Sequence, residues 1–243
     1  MAEFYVIDSI RCKGCKLGVL RDFHKELLGR KCYVISLEKG TDGWFAFKPL
    51  SDDEWGCGEY GFHRIRTTNI IECTHNADGS IEFETQNTFY RFRPFGGVHT
   101  VDGDIFKSNA DVIVHQVNCQ GVMGSGVAKQ VREKYPNVFE VYQKRCKDTL
   151  NPLGHTLCVE APDGTVIANL FAQNKYGYDS KRYTDYEALG ECLKELRAEC
   201  LGKVVAIPYL MSCARGGGDW DKVSKMIEES LAGCDVTYYR YNG

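Results

Sequence analysis

Two glycine-bearing stretches carry the clearest chemical signal: Asn118-Cys-Gln-Gly-Val-Met-Gly-Ser-Gly126 and Ser212-Cys-Ala-Arg-Gly-Gly-Gly218. Each follows an apolar run and precedes a helical pattern. Glycines at such a junction let backbone N–H groups approach an anion, and the N-terminus of the following helix adds a favourable dipole. Two such loops in one domain suit the two ends of a diphosphate-containing ligand; taken singly, either is also readable as a tight turn. A dinucleotide-binding fingerprint fits poorly. The spacing Gly121-x-x-Gly124-x-Gly126 is not G-x-G-x-x-G, and no acidic residue closes a second strand where a ribose hydroxyl would need it.

The elements that must position these loops lie in the second part of the chain. Asp111–Val117 is a mostly apolar run of the kind found in a sheet covered on both faces. A helix then carries Val127, Val131 and Tyr135 on one side, and Thr165–Ala172 reads as another buried strand. The next helix is expected to open at Thr184, with Glu187 completing a capping box and Tyr186, Leu189, Leu193 and Leu196 along one face. Val204–Tyr209 reads as a third strand, a helix starts near Asp219, and Asp235–Tyr241 closes the chain as a strand. Alternating strands and helices imply an α/β sandwich with ligands at the strand ends.

Residues 1–94 differ. Lys31–Leu37 and Trp44–Leu50, then Thr68–Thr74 and Ser80–Thr85, read as hairpins with glycine-containing loops, and Phe89–Phe92 alternates again. Asp22–Leu28 is the one helical candidate there. The expected organisation is a small β-rich module over 1–94 and an α/β domain over 97–243.

Composition narrows the function. Thirty Lys+Arg against 33 Asp+Glu give a net charge of −3 over 243 residues, so there is no basic surplus for bulk polyanion binding. No run approaches the roughly 20 apolar residues of a membrane helix, and Met1-Ala-Glu-Phe-Tyr lacks a signal-peptide pattern. The 12 cysteines are scattered through a chain large enough to build a core, which reads as reduced thiols of a cytoplasmic protein. Cys12-Lys-Gly-Cys15 has half a zinc-knuckle spacing. Cys32, Cys57 and His63 could complete four ligands with Cys12 and Cys15, but at spacings that fit no zinc pattern; no metal and no cofactor is expected.

Four linked segments resemble a macro domain, the ADP-ribose-binding fold: Gly103-Asp104-Ile105-Phe106, Val112 to Asn118, Met123 to Ala128, and Ile207 to Trp220. The resemblance covers residues 97–243, implies a three-layer α/β/α fold with a mixed sheet, and leans to one branch of the family. That branch contains terminal ADP-ribose protein glycohydrolase and the yeast ADP-ribose 1''-phosphate phosphatase; its first loop reads Met-Gly-Ser-Gly rather than Gly-Gly-Gly. By this resemblance Asp104 matches the aspartate that accepts the adenine amino group, with the Ile105 N–H beside the same ring. Asn118 matches a polar residue near the distal ribose. Gly124, Ser125, Gly126 and Val127 match the loop along the diphosphate. Ser212, Cys213, Ala214, Arg215, Gly216, Gly217 and Gly218 match the loop that covers it from the other side.

The catalytic positions of the branch are altered. Its glycohydrolases use a lysine after the strand matching Val166–Ala172 and an aspartate in the second loop. Gly216 stands at the aspartate's position, Gln173 at the lysine's, and Lys175 lies two residues further on. Asn118 and Lys175 are the catalytic candidates, although Lys175 reads first as a solvated loop lysine. Asp219 reads as a helix cap, His115 as a packed strand residue, and Cys119 and Cys213 as small loop-filling side chains. Tyr176 and Tyr178 either cover the distal ribose or stand as exposed loop aromatics. The resemblance implies hydrolysis of an ADP-ribose derivative, either ADP-ribose 1''-phosphate or ADP-ribose on a macromolecule. The other reading is a non-catalytic reader of ADP-ribosylated protein or nucleic acid.

Overall fold

The computed structural model describes residues 4–13, 27–47, 63–177, 179 and 181–242. The chain divides into two compact units, Met1–Phe95 and Gly96–Gly243.

In the first unit, strands β1 (Phe4–Cys12), β2 (Lys31–Ser36), β3 (Asp42–Phe47), β4 (His63–His75), β5 (Ile81–Thr85) and β6 (Thr88–Pro94) form a closed barrel. Each strand runs antiparallel to the next, and β6 returns to pair with β1. Alternation produces this fold. Ile81, Phe83 and Thr85 on β5, and Thr88, Tyr90 and Phe92 on β6, point inward while their neighbours face out. Phe45 and Phe83 meet Phe92 edge-on, at centroid distances of 5.1 and 5.3 Å. Closure leaves no exposed edge among the described strands. The hairpin pairs read from the sequence are present, whereas β1 was not among the expected strands although it completes the ring. The helix expected over Asp22–Leu28 falls mainly outside the described residues, as do Cys15 and Cys57. Among the described residues no group of three or more metal-binding side chains assembles.

The second unit has a six-stranded sheet in the order β7-β12-β11-β8-β10-β9. Its strands are β7 (Gly97–Asp102), β8 (Val112–Asn118), β9 (Thr156–Glu160), β10 (Val166–Gln173), β11 (Val204–Pro208) and β12 (Asp235–Arg240). All pairs are parallel except β9 with β10, so the sheet is mixed. The helices are α1 (Gly126–Lys134), α2 (Pro136–Asp148), α3 (Tyr186–Cys200) and α4 (Trp220–Ser230). One face of the sheet packs Val112, Val114, Leu170 and Ile207 against Leu189, Leu193 and Leu196 of α3 and Val223 and Ile227 of α4. On the other face, Phe171 stacks on Tyr142 of α2 at 5.6 Å. This is the expected α/β/α sandwich.

Two boundaries differ from expectation. The helix carrying Val127 and Val131 stops at Tyr135, because the residue before a proline is driven out of helical geometry, and Pro136 then opens α2. The cap of α3 is Asp185 rather than Thr184. Its carboxylate accepts from the N–H groups of Glu187 and Ala188 at 3.0 and 3.1 Å, while the Thr184 hydroxyl donates to the Ser212 carbonyl at 2.8 Å. No helix among the described residues is long and apolar enough to cross a membrane.

Removing the observed cap should cost more than removing the expected one. Asp185→Ala is predicted to lower unfolding free energy by about 1 kcal/mol in urea titrations followed by circular dichroism. Glu187→Ala should stay within about 0.5 kcal/mol of the wild type.

Candidate functional site

At the C-terminal ends of β8, β10 and β11 lies a cleft bounded by both glycine loops. Parallel strands present their ends and the following helix N-termini together at this edge, which is where open α/β sheets hold ligands.

Asn118 builds the first loop. Its Nδ2 donates to the Val122 carbonyl at 2.6 Å, its Oδ1 accepts from the Gln120 N–H at 2.9 Å, and the Tyr142 hydroxyl donates to its backbone carbonyl at 2.8 Å. Both ends of the amide are thus engaged within the protein, and Asn118 shapes the loop. Gly124, Ser125, Gly126 and Val127 line the cleft. Gly126 has φ 57 and open space at its Cβ position. Ser125 is the N-cap of α1 but makes no side-chain cap hydrogen bond. The first-turn N–H groups of α1 therefore face the cleft without a side-chain acceptor, a ready anion site.

The second loop is tightly wound. Leu210 and Ser212 hold φ 61 and 70, a region that L side chains seldom adopt. The Gly217 N–H donates to the Cys213 carbonyl and the Gly218 N–H to the Ser212 carbonyl, both at 3.0 Å. The Gly216 carbonyl accepts from Tyr183 and Thr184 at 2.8 and 2.9 Å. A Cβ at Gly216 would collide with Thr184 Oγ1 and the Ser212 carbonyl oxygen, so the position that resembles the aspartate of the glycohydrolase branch admits no side chain here. Ser212, Ala214, Arg215 and Gly216 line the cleft; Cys213, Gly217 and Gly218 are not on its lining.

The titratable groups are poorly placed for proton transfer. His115 is buried, and Asn169 Oδ1 lies 2.9 Å from its Nε2. Asn169 donates its Nδ2 to the Leu157 and Ile167 carbonyls, which makes Oδ1 the acceptor and His115 Nε2 the donor. Burial pushes the His115 pKa down to about 4, so the ring is neutral at pH 7. Burial pushes the Cys119 and Cys213 thiols up to about 11, leaving neither as a thiolate nucleophile. Lys175 is exposed and absent from the lining, although its carbonyl accepts from Gln173 at 3.2 Å. Asp179 is also outside the lining, and hydrogen bonds from Tyr183 and Lys181 hold its pKa down near 2. Asp219 caps α4 by accepting from the Lys222 N–H at 2.9 Å.

Asp104 and Ile105 follow β7 on the same edge of the sheet but do not line the cleft. One carboxylate oxygen of Asp104 caps the short turn Ile105–Lys107 by accepting from the Phe106 N–H at 3.0 Å. Tyr176 lines the cleft and is 46% exposed; Tyr178 lies outside the described residues. The sequence reading gave no role to Gln116 or Tyr209, named Gln173 only as the occupant of the branch lysine's position, and took Thr184 as a helix cap. Gln116, Gln173 and Tyr209 line the cleft, and Thr184 supports its wall. A glutamine inside the apolar run Val112–Val117 was the available signal.

Residues 114–227 match the macro domain family model. The second compact unit has the macro domain fold. Over 147 residues the chain is 28% identical to the DNA ADP-ribosyl glycohydrolase of Mycobacterium tuberculosis, which covers 58% of this chain and 41% of that protein. It is 30% identical over 76 residues to the ADP-ribose 1''-phosphate phosphatase of Aspergillus clavatus, covering 30% of this chain and 38% of that protein. In three dimensions the macro domain is similar to the macrodomain of M. tuberculosis DarG, with a TM-score of 0.52 and 27% identity over 59% of this chain and 97% of that one. The chain thus spans about two fifths of the length of these curated relatives.

The two loop glycines should separate on substitution. Gly126→Glu has room for its side chain and should lose about 1–2 kcal/mol of stability, from the left-handed φ alone, while its carboxylate blocks anions at the α1 N-terminus. Gly216→Ala should destabilise the macro domain by overpacking, about 1–3 kcal/mol, and disrupt the second loop. Thermal unfolding beside ADP-ribose titration of both variants checks this; a Gly126→Glu protein that binds like wild type would refute the anion role of the first loop.

Proposed function

We propose that the macro domain binds ADP-ribose with the diphosphate between the two glycine loops, the adenine towards Asp104 and Ile105, and the distal ribose towards Gln173 and Tyr176. One observation carries this reading: two anion-suited backbone loops, one ending in an uncapped helix N-terminus, face each other across a single cleft. Arg215 on the lining adds positive charge, and the names of the relatives agree with the ligand class.

We further propose that the domain hydrolyses an ADP-ribose derivative, either ADP-ribose 1''-phosphate or ADP-ribose attached to protein or nucleic acid. Gln173 and Gly216 stand where the branch has its lysine and aspartate, so water is the attacking species. The site contributes orientation, and its N–H groups stabilise charge on the diphosphate and leaving group. A non-catalytic reader is the second reading, favoured by the placement of Lys175 and Asp179 outside the cleft. Cys119, Cys146, Cys158, Cys192, Cys200, Cys213 and Cys234 carry no disulfide, which fits a reducing compartment such as the cytoplasm.

Calorimetric titration should give a micromolar or better Kd for ADP-ribose, about −8 kcal/mol, with GDP-ribose much weaker. Asp104→Ala should weaken ADP-ribose binding by about 1.5–3 kcal/mol; equal affinity for the two nucleotides would remove Asp104 from adenine recognition. A hydrolysis panel on ester, thymidine and 1''-phosphate linkages separates enzyme from reader. Lys175→Ala should retain most of any activity, and borohydride should trap no adduct. A trapped adduct at Lys175, or a loss beyond about a hundredfold, would restore the lysine mechanism.

A further inference from the structure

Gln116 lies on β8 between the buried His115 and Val117, and its side chain joins segments that the glycine loops alone do not connect. Its Nε2 donates to Gln173 Oε1 at 2.5 Å and to Thr184 Oγ1 at 3.1 Å. Gln173 donates its own Nε2 to the Lys175 carbonyl at 3.2 Å. Thr184 donates its hydroxyl to the Ser212 carbonyl at 2.8 Å, the shorter of its two acceptor distances.

These bonds have one consistent direction. A threonine hydroxyl has a single proton; with that proton on the Ser212 carbonyl, Thr184 must accept from Gln116. Gln116 then presents Nε2 rather than Oε1 to Gln173, which forces Gln173 to accept with Oε1 and donate with Nε2. Reversing either amide would set like groups against each other. The tie has a reason on the loop side as well. Ser212 holds φ 70, and its hydroxyl is buried without a partner, so its carbonyl is the group that anchors it from outside the loop.

We propose that Gln116 is the positioning residue of the cleft. It sets the second glycine loop and the segment 173–177 as one unit, so that contact at the diphosphate also orders the wall facing the distal ribose. This rests on the ADP-ribose reading above.

The test uses ADP, which lacks the distal ribose, and ADP-ribose, with wild type and Gln116→Met, a side chain of similar length without polar atoms. In wild type, bound ADP should slow amide hydrogen exchange at Tyr176 and Gly177 as well as at Tyr183 and Thr184. In Gln116→Met, ADP should still bind, but the protection at Tyr176 and Gly177 should vanish, with ADP-ribose affinity falling about tenfold, the usual loss for one buried hydrogen bond. Gln116→Met and Thr184→Val should be non-additive, since both cut one chain of bonds. Where Gln116→Met does not fold, Gln173→Met cuts the same chain at its far end and should likewise remove the ADP-dependent protection at Tyr176 and Gly177. Protection by ADP that persists in the variant, or additive effects of the two substitutions, would overturn the inference. A wild type that binds neither nucleotide would instead overturn the functional reading on which it rests.

Discussion

The Thr184 hydroxyl reaches the Ser212 carbonyl through space that a side chain at position 216 would fill. That single constraint organises the site. With Gly216 in place, the second loop can fold back onto the segment before α3, its carbonyl accepting from Tyr183 and Thr184. Leu210 and Ser212 are then held in left-handed geometry that an untethered loop would relax. The same packing removes the place where an acidic residue could stand. The fold of the loop and the chemistry proposed for the cleft are therefore coupled through one missing Cβ.

The chemistry left to the cleft follows from this. Among the described residues its lining has no carboxylate and no lysine; His115 on it is neutral, and the nearby thiols are protonated. General acid–base help is worth about 10²–10⁴-fold, and a site without it depends on orientation and on fixed N–H dipoles. Such a site suits a leaving group that departs as a stabilised anion better than one that must be protonated. It also suits tight binding with little turnover.

Much of this was legible in the residues. The runs Val112–Val117 and Val204–Pro208, buried on both faces, carry the mark of a covered parallel sheet, and the glycine spacings place two loops at one sheet edge. Strand β1 escaped because its alternation, Phe4 to Cys12, is broken by a register shift between Ile7 and Ser9 where it bends to close the barrel. Thr184 was mistaken for a cap because the pattern Thr-x-x-Glu is local, whereas the partner that claims its hydroxyl is 28 residues away. Gln116 was silent for the same reason: a polar residue in an apolar run signals a buried partner without saying which. The aspartate and lysine substitutions were visible in the sequence, but the impossibility of a side chain at 216 was not.

In the proposed function, the two glycine loops grip one diphosphate through their backbone N–H groups. Two-dimensional ¹H–¹⁵N spectroscopy of the full chain during titration with ADP-ribose tests it directly. The amides of Gly126, Val127 and Ala128 and those of Ser212 to Gly216 are expected to shift together with one saturation curve, while the barrel amides of β1 to β6 stay in place. Shifts confined to one loop, or centred on the barrel, would contradict it.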